Sequence, residues 1–256
     1  MNKLDRPFNF KTDKPLKESH LNLFRYLRDQ PDSGPIEKKF LVLCAPRCGS
    51  TLFTDALNNS GQIGMCEEWL NYEYFAAYMQ VLGCEFCLRE YLNWVARKTV
   101  GVTGVMSFKV HIAQFVSMYK DFDFGIGSLN FDYVVYLSRL NKIAQAVSLA
   151  KAIKTNQFRH NEEPQNDAVI GMHDITHALG IVTEQDEYFW VVLNEYKNDV
   201  FYYEDFLNLN HSSYNKVLKA LGKQPQEKFK TSLVKQANQK SKELERTFKS
   251  YIGVTQ

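Results

Sequence analysis

Arg47-Cys48-Gly49-Ser50-Thr51 gathers a guanidinium, a glycine and two hydroxyls into one turn. The five apolar residues before it (40–44) read as a short buried strand, and Leu52, Phe53, Ala56 and Leu57 after it keep helical spacing. A strand that feeds a tight turn into a helix aims backbone N–H groups and the positive helix end at one spot. An oxyanion is the natural occupant, with Arg47 as a mobile charge beside it. A Walker A loop would need G-x-x-x-x-G-K-[ST]. Here Cys44 stands at the first glycine, and Gly49 runs straight into Ser50 without the lysine that reaches terminal phosphates. That argues against an ATPase or GTPase, and Cys44 lies too close to Arg47 for a phosphatase loop.

Other residues have the types for chemistry. Glu67 and Glu68 follow a loop marked by Gly61 and Gly64 and precede Trp69. Adjacent acids suit the start of a helix, and neighbours point different ways, so at most one of them faces a cleft. Residues 102–111 read as a strand with Met106, Phe108 and Val110 on one face and Ser107, Lys109 and His111 on the other. That polar face either lines a site or is the solvent side of an edge strand. Residues 132–138 form the clearest second buried strand, β-branched and aromatic. It ends at Arg139, where open α/β sheets place their ligands. Ser148, two turns into the helix that follows, is by itself a small packing residue; its pairing with Arg139 points to a shared groove. His173 and His177 resemble H-E-x-x-H with Asp174 in the glutamate position, but aspartate is shorter and no third ligand suggests itself. Cys84-x-x-Cys87 has no second pair for a zinc site. No metal is expected.

The elements that must position these residues alternate strand and helix, which predicts an α/β fold with a mostly parallel central sheet flanked by helices. Residues 1–38 are polar and broken by four prolines, with one helical piece over 18–28; they read as an N-terminal arm packed on a domain spanning 39–256. A long helical region is expected over 71–98, a helix from about 141, further helix up to 196, a strand over 199–203 and a charged helix at the end. At 256 residues with 31 Lys+Arg against 29 Asp+Glu, the net charge of +2 implies no nucleic-acid partner. No stretch approaches the ~18 apolar residues of a membrane span, and the N-terminus has no signal-peptide core. A cytoplasmic protein whose five cysteines are reduced thiols is expected.

Taken together, these blocks resemble the bacterial carbohydrate sulfotransferases, the family typified by trehalose 2-sulfotransferase and including lipopolysaccharide and nodulation-factor enzymes. The likeness covers residues 40–248 with gaps. The turn Arg47-Cys48-Gly49-Ser50-Thr51 is similar to the family's 5′-phosphosulfate loop. Arg139 with Gln145-Ala146-Val147-Ser148 resembles its 3′-phosphate arginine and serine, Glu68 its catalytic carboxylate and Lys109 a lysine on its central strand. Gln236-Ala237-Asn238 with Ser241 resembles the C-terminal cofactor segment. Met65-Cys66 and His111 depart from the pattern, and residues 71–100, which would shape the acceptor pocket, match little, so trehalose itself is not implied. The resemblance implies a P-loop-like sulfotransferase fold, 3′-phosphoadenosine 5′-phosphosulfate as donor with adenosine 3′,5′-bisphosphate as product, and a small-molecule or glycolipid acceptor. It also implies a homodimer, and Glu68 as base, a role it would fill best with its pKa raised by partial burial, which sequence does not report; His111 is the rival base. A P-loop kinase or nucleotide hydrolase and a non-catalytic nucleotide-binding module are the competing readings.

Overall fold

The computed structural model describes residues 15–158, 168–209, 211–233 and 239–254. In chain order, helix α1 (Glu18–Asp29) precedes strand β1 (Lys38–Cys44) and helices α2 (Ser50–Asn58), α3 (Tyr72–Leu82) and α4 (Leu88–Thr99). Strand β2 (Val105–His111) runs directly into α5 (Ile112–Phe122), and β3 (Tyr133–Ser138) leads to α6 (Lys142–Thr155) and α7 (Met172–Tyr188). Last come β4 (Asp199–Tyr202), the single turn α8 (Tyr203–Phe206), α9 (His211–Ala220) and α10 (Gln239–Tyr251). Among the described residues the four strands are all parallel, in the order β2-β1-β3-β4. The α/β fold with a parallel sheet is therefore present, as the alternating elements require.

Both faces of the sheet are covered, which is why the strands read as nearly unbroken apolar runs. Leu41, Leu43, Phe108, Val110 and Tyr136 face one core, built with α1, α3, α4 and α5. Phe40, Val42, Cys44, Val135 and Leu137 face the other, where Phe53 of α2 stacks on Tyr214 of α9. A third cluster joins α6 and α7 to Phe248 of α10. Helix α1 buries Leu21, Phe24 and Leu27, and Phe24 stacks on Trp94 of α4. All five cysteines are free thiols, and burial pushes those of Cys44 and Cys66 well above the ordinary range. No helix among the described residues is long and apolar enough to cross a membrane.

Several boundaries differ from the sequence reading. The expected helix over 71–98 is two helices, because Gly83 takes a left-handed φ of 65° and ends α3. The strand expected from 102 starts at Val105, after a 3₁₀ turn over Gly101–Thr103 closed by Gly104 at φ 68°. Helix α7 ends at Tyr188 and passes into a π turn and a 3₁₀ turn.

Chain order makes β1 a switch point: the path leaves it toward β2 on one side and returns to β3 on the other. The C-terminal ends of β1 and β3 therefore flank a crevice, the usual ligand position in open α/β sheets. Along the outer edge of β2, residues 64–69 run alongside the strand. Gly64 donates to the Val105 carbonyl (3.0 Å), Met65 to that of Thr99 (3.0 Å), and Lys109 donates its backbone N–H to Glu67 (2.9 Å). Gly64 has no room for a side chain, since a Cβ would lie 2.3 Å from the Val105 oxygen and 2.7 Å from the Thr99 oxygen. Backbone cannot yield as a flexible side chain can, so Gly64→Ala should lower stability by about 3 kcal/mol, the upper end for overpacking. Gly127→Ala, at a glycine with nothing within 4 Å, should stay within about 0.5 kcal/mol of the parent. Urea denaturation of the two variants checks this.

Candidate active site

The turn after β1 is held in an uncommon backbone shape. Arg47 has φ 64° and Gly49 φ 87°, both left-handed. Glycine is required at 49 for a second reason: a Cβ there would meet the Tyr203 ring at 2.3 Å. Gly49 is also the N-cap of α2 and brings no side chain to it, so the first-turn amides depend on partners outside the helix. Gln145, fully buried on α6, donates its Nε2–H to the Pro46 carbonyl at 2.7 Å and pins the turn from the far side. Cys48 and Ser50 are buried in the turn.

The two expected nucleotide arginines take different partners. Arg47 donates Nε–H to the Ser148 hydroxyl (2.9 Å) and another N–H to the Phe158 carbonyl (2.6 Å). Arg139, one residue past β3, lies over the Tyr203 ring with its guanidinium carbon 4.7 Å from the centroid. Its Nε is buried without a hydrogen-bond partner. Ser148 thus sits with Arg47, whereas Arg139 is carried on Tyr203. Ser241, at the start of α10, accepts from Lys151 Nζ of α6 (3.1 Å). Gln236 lies outside the described residues. Burial, together with the nearby charges of Lys240 and Arg47, lowers the Lys151 pKa. Three cations converging in this way suit a multiply charged anion.

On the other side of β1, Lys109 and His111 project from the same face of β2, level with Val42 and Cys44. Of the two readings of this strand's polar face, the solvent-facing one fails, since Ser107 and Lys109 are buried. The strand is an edge, yet Lys109 is only 1% exposed because residues 64–69 cover it. Glu67 and Glu68 do not start a helix, since α3 begins at Tyr72 with Asn71 as its cap. They point apart: Glu67 accepts from the Tyr74 hydroxyl (3.2 Å), and Glu68 Oε1 meets Lys109 Nζ at 3.2 Å and His111 Nε2 at 3.6 Å. Glu68 Oε2 accepts from Gln114 Nε2 (3.0 Å) and Asn71 Nδ2 (3.3 Å). The other ring nitrogen of His111, Nδ1, lies 3.4 Å from the Cys44 sulfur.

A raised pKa, the condition that would best suit a base, is not what this environment gives Glu68. Burial does push it up, but the Lys109 and His111 charges, with the hydrogen bond from Gln114, hold it well below the usual carboxylate range. Glu68 is an ionised acceptor at neutral pH. Tyr203, Lys151, Gln114 and Asn71 went unnoticed in the sequence, where none belongs to a motif. Only Tyr203 carried a signal, as the last aromatic of a strand-like run.

The turn after the first strand carries no lysine, and arginines stand on both sides of the switch point, which sets this site apart from those of ATPases and GTPases. A model of the Stf0 sulphotransferase family matches residues 39–250, and the chain belongs to that family. Trehalose 2-sulfotransferase of Mycolicibacterium smegmatis is 27% identical over 245 residues, spanning 80% of this chain and 91% of that protein. Mouse sulfotransferase SULT7A1, solved in complex with PAP, aligns over 99% of this chain and 78% of its own, with 11% identity and a TM-score of 0.41, a distant likeness. The protein is a sulfotransferase.

Removing the ammonium should expose how the buried pair works. In Lys109→Met, Glu68 keeps its half-buried place without its main counter-charge, so stability at pH 7 should fall by about 3 kcal/mol. The parent Glu68, with its depressed pKa, contributes stability that is present above the ordinary glutamate value and lost as pH falls through the folded value. In the variant the carboxyl can protonate near pH 4 and escape the penalty, so the deficit should shrink there. Urea denaturation at both pH values measures it.

Proposed function

We propose that this sulfotransferase takes its sulfuryl group from 3′-phosphoadenosine 5′-phosphosulfate and passes it to a hydroxyl of a sugar or glycolipid, with Glu68 as the base. The observation that carries the proposal is the placement of an ionised, half-buried Glu68 beside the end of β2, next to the turn at the end of β1. The orphaned Nε–H of Arg139 and the convergence of Arg47, Lys151 and Lys240 support a nucleotide bearing more than one anionic group. The relative's name, trehalose 2-sulfotransferase, supports a carbohydrate acceptor.

The donor supplies an activated sulfuryl group, and the protein's part is positioning and charge stabilisation. The acceptor oxygen forms its bond to sulfur as the bond from sulfur to the phosphate oxygen breaks. The electron pair leaves with adenosine 3′,5′-bisphosphate, and the acceptor's proton passes to Glu68. The turn amides and Arg47 face the growing charge of the leaving group. Arg139, with Ser148, Lys151 and Ser241, is assigned to the nucleotide's phosphates. Lys109 keeps Glu68 ionised in this scheme. His111 has both ring nitrogens directed at protein groups, which favours Glu68 over His111 as base.

Calorimetric titration with adenosine 3′,5′-bisphosphate, and with ATP and GTP with and without magnesium, tests the donor class. Tight, magnesium-independent binding of the bisphosphate alone is expected; preference for a magnesium nucleotide would return the chain to the kinase reading. Glu68→Gln should bind the bisphosphate as the parent does while transfer from the donor falls about 10²–10⁴-fold. Arg139→Ala should weaken the bisphosphate about 10–100-fold and AMP far less, the loss of a charge-assisted hydrogen bond to the 3′-phosphate.

A further inference from the structure

Asn71 and Gln114 are both helix caps, and both end at the same oxygen. Asn71 caps α3, its Oδ1 accepting from the Glu73 backbone N–H at 3.0 Å. Gln114, three residues into α5, reaches back so that its Oε1 accepts from the His111 backbone N–H at 3.0 Å. A side-chain amide whose oxygen accepts from a backbone N–H has its orientation decided, because its nitrogen must then point the other way. In both residues that nitrogen meets Glu68 Oε2, at 3.3 Å from Asn71 and 3.0 Å from Gln114. The two caps come from different helices on either side of the carboxylate, and neither can turn without giving up a helix end.

The remaining acceptor positions of Glu68 are on Oε1. An ionised carboxylate offers about four lone-pair directions. Asn71, Gln114 and Lys109 occupy three of them at 3.0–3.3 Å. The fourth faces His111 Nε2 at 3.6 Å, beyond hydrogen-bond length. Glu68 keeps 17% of its side chain exposed, and Oε1, which carries neither helix-capping amide, is the oxygen left for a substrate hydroxyl. Partial rotation of the carboxylate would break both amide hydrogen bonds to Oε2.

We propose that Asn71 and Gln114 act as a pair of positioning residues, whose fixed amides hold Oε2 of Glu68 so that Oε1 alone is presented to the acceptor hydroxyl. The proposal rests on the reading of Glu68 as the base. The groups that face this carboxylate are Lys109 and His111 from β2, Gln114 from α5 and Asn71 ahead of α3; Glu67 is turned toward Tyr74, and the Cys44 thiol lies behind His111. A clamp of this kind lowers the freedom of the base before the acceptor arrives, a contribution made through orientation.

Asn71→Asp and Gln114→Glu test it, because each keeps the oxygen that caps its helix while replacing the N–H toward Glu68 with a second oxygen. Asn71→Ser and Gln114→Met remove the donor without adding charge. With selectively ¹³C-labelled glutamate, the Glu68 carboxyl resonance is assigned by its loss in Glu68→Gln and followed through a pH titration. Its midpoint should rise by at least one pH unit in Asn71→Asp and Gln114→Glu, and measurably in the two neutral variants. Transfer from the donor to trehalose as probe acceptor should fall at least tenfold in kcat in all four, with the dissociation constant of adenosine 3′,5′-bisphosphate within twofold of the parent. Folded variants whose Glu68 titration and kcat both match the parent would overturn the proposal. Absence of donor-dependent turnover and of bisphosphate binding in the parent would instead overturn the reading it rests on, and the titration would still decide whether the clamp exists.

Discussion

The site depends on an ammonium buried at the edge of a sheet. A lysine on an edge strand normally points to water and discourages further pairing. Here the segment over 64–69 lies along β2, and the charge of Lys109 is shut inside. A buried ammonium without a carboxylate would cost several kcal/mol, so the covering segment must bring one, and Glu68 is that residue. The rest follows from making the covering segment fit. Gly64 lets backbone lie on backbone, the Trp69 indole donates to the Ser107 carbonyl at 3.1 Å, and Tyr91 donates to the Trp69 carbonyl at 2.8 Å. What looks like a stability device thereby fixes an ionised carboxylate at the C-terminal edge of the sheet.

Charge is distributed unevenly over that edge. Glu68 is neutralised locally by Lys109, whereas Arg47, Arg139, Lys151 and Lys240 gather between β1 and the helices beyond it. An isolated carboxylate beside the turn would repel an anionic donor at separations shorter than the Debye length of about 8 Å. Paired with an ammonium at 3.2 Å it presents a dipole instead, whose field falls off faster with distance. One side of the site can then hold negative charge on the protein while the other side attracts it on the ligand. Tyr203 helps to keep the two regions in place, packing on Gly49 with one part of its ring and carrying Arg139 on its face.

How much of this was legible depended on whether a residue's role is local. Buried parallel strands announce themselves as apolar runs, and the turn and Arg139 are placed by strand ends, so both could be located from sequence. Lys109 and His111 were found as a polar face, but whether that face met water depended on a segment forty residues away, which periodicity does not report. The direction of the Glu68 pKa was not legible for the same reason: burial can be inferred from neighbours, but the ammonium that outweighs it comes from another strand. Ser148 and Arg139 were read as a pair because a strand end and a helix face often share a groove, yet Arg47 reaches across the turn and takes the serine. Asn71 and Gln114 are the least legible of all, since an amide at a helix start reads as a cap and nothing more.

A depressed carboxylate pKa and the role of a base pull in opposite directions, and the proposed chemistry indicates why the combination is workable. A weaker base gains less from taking a proton, which would be costly where proton removal leads the reaction. In sulfuryl transfer, as in its phosphoryl counterpart, breaking of the bond to the leaving group runs ahead of bond formation, so the acceptor hydroxyl becomes acidic late. At that stage a carboxylate in the right place and always ionised serves better than a stronger base that is protonated part of the time. Lys109 secures the ionisation, and the amides of Asn71 and Gln114 secure the place. On this reasoning the catalytic demand on Glu68 is one of geometry, and the surrounding residues are spent on its orientation more than on its basicity.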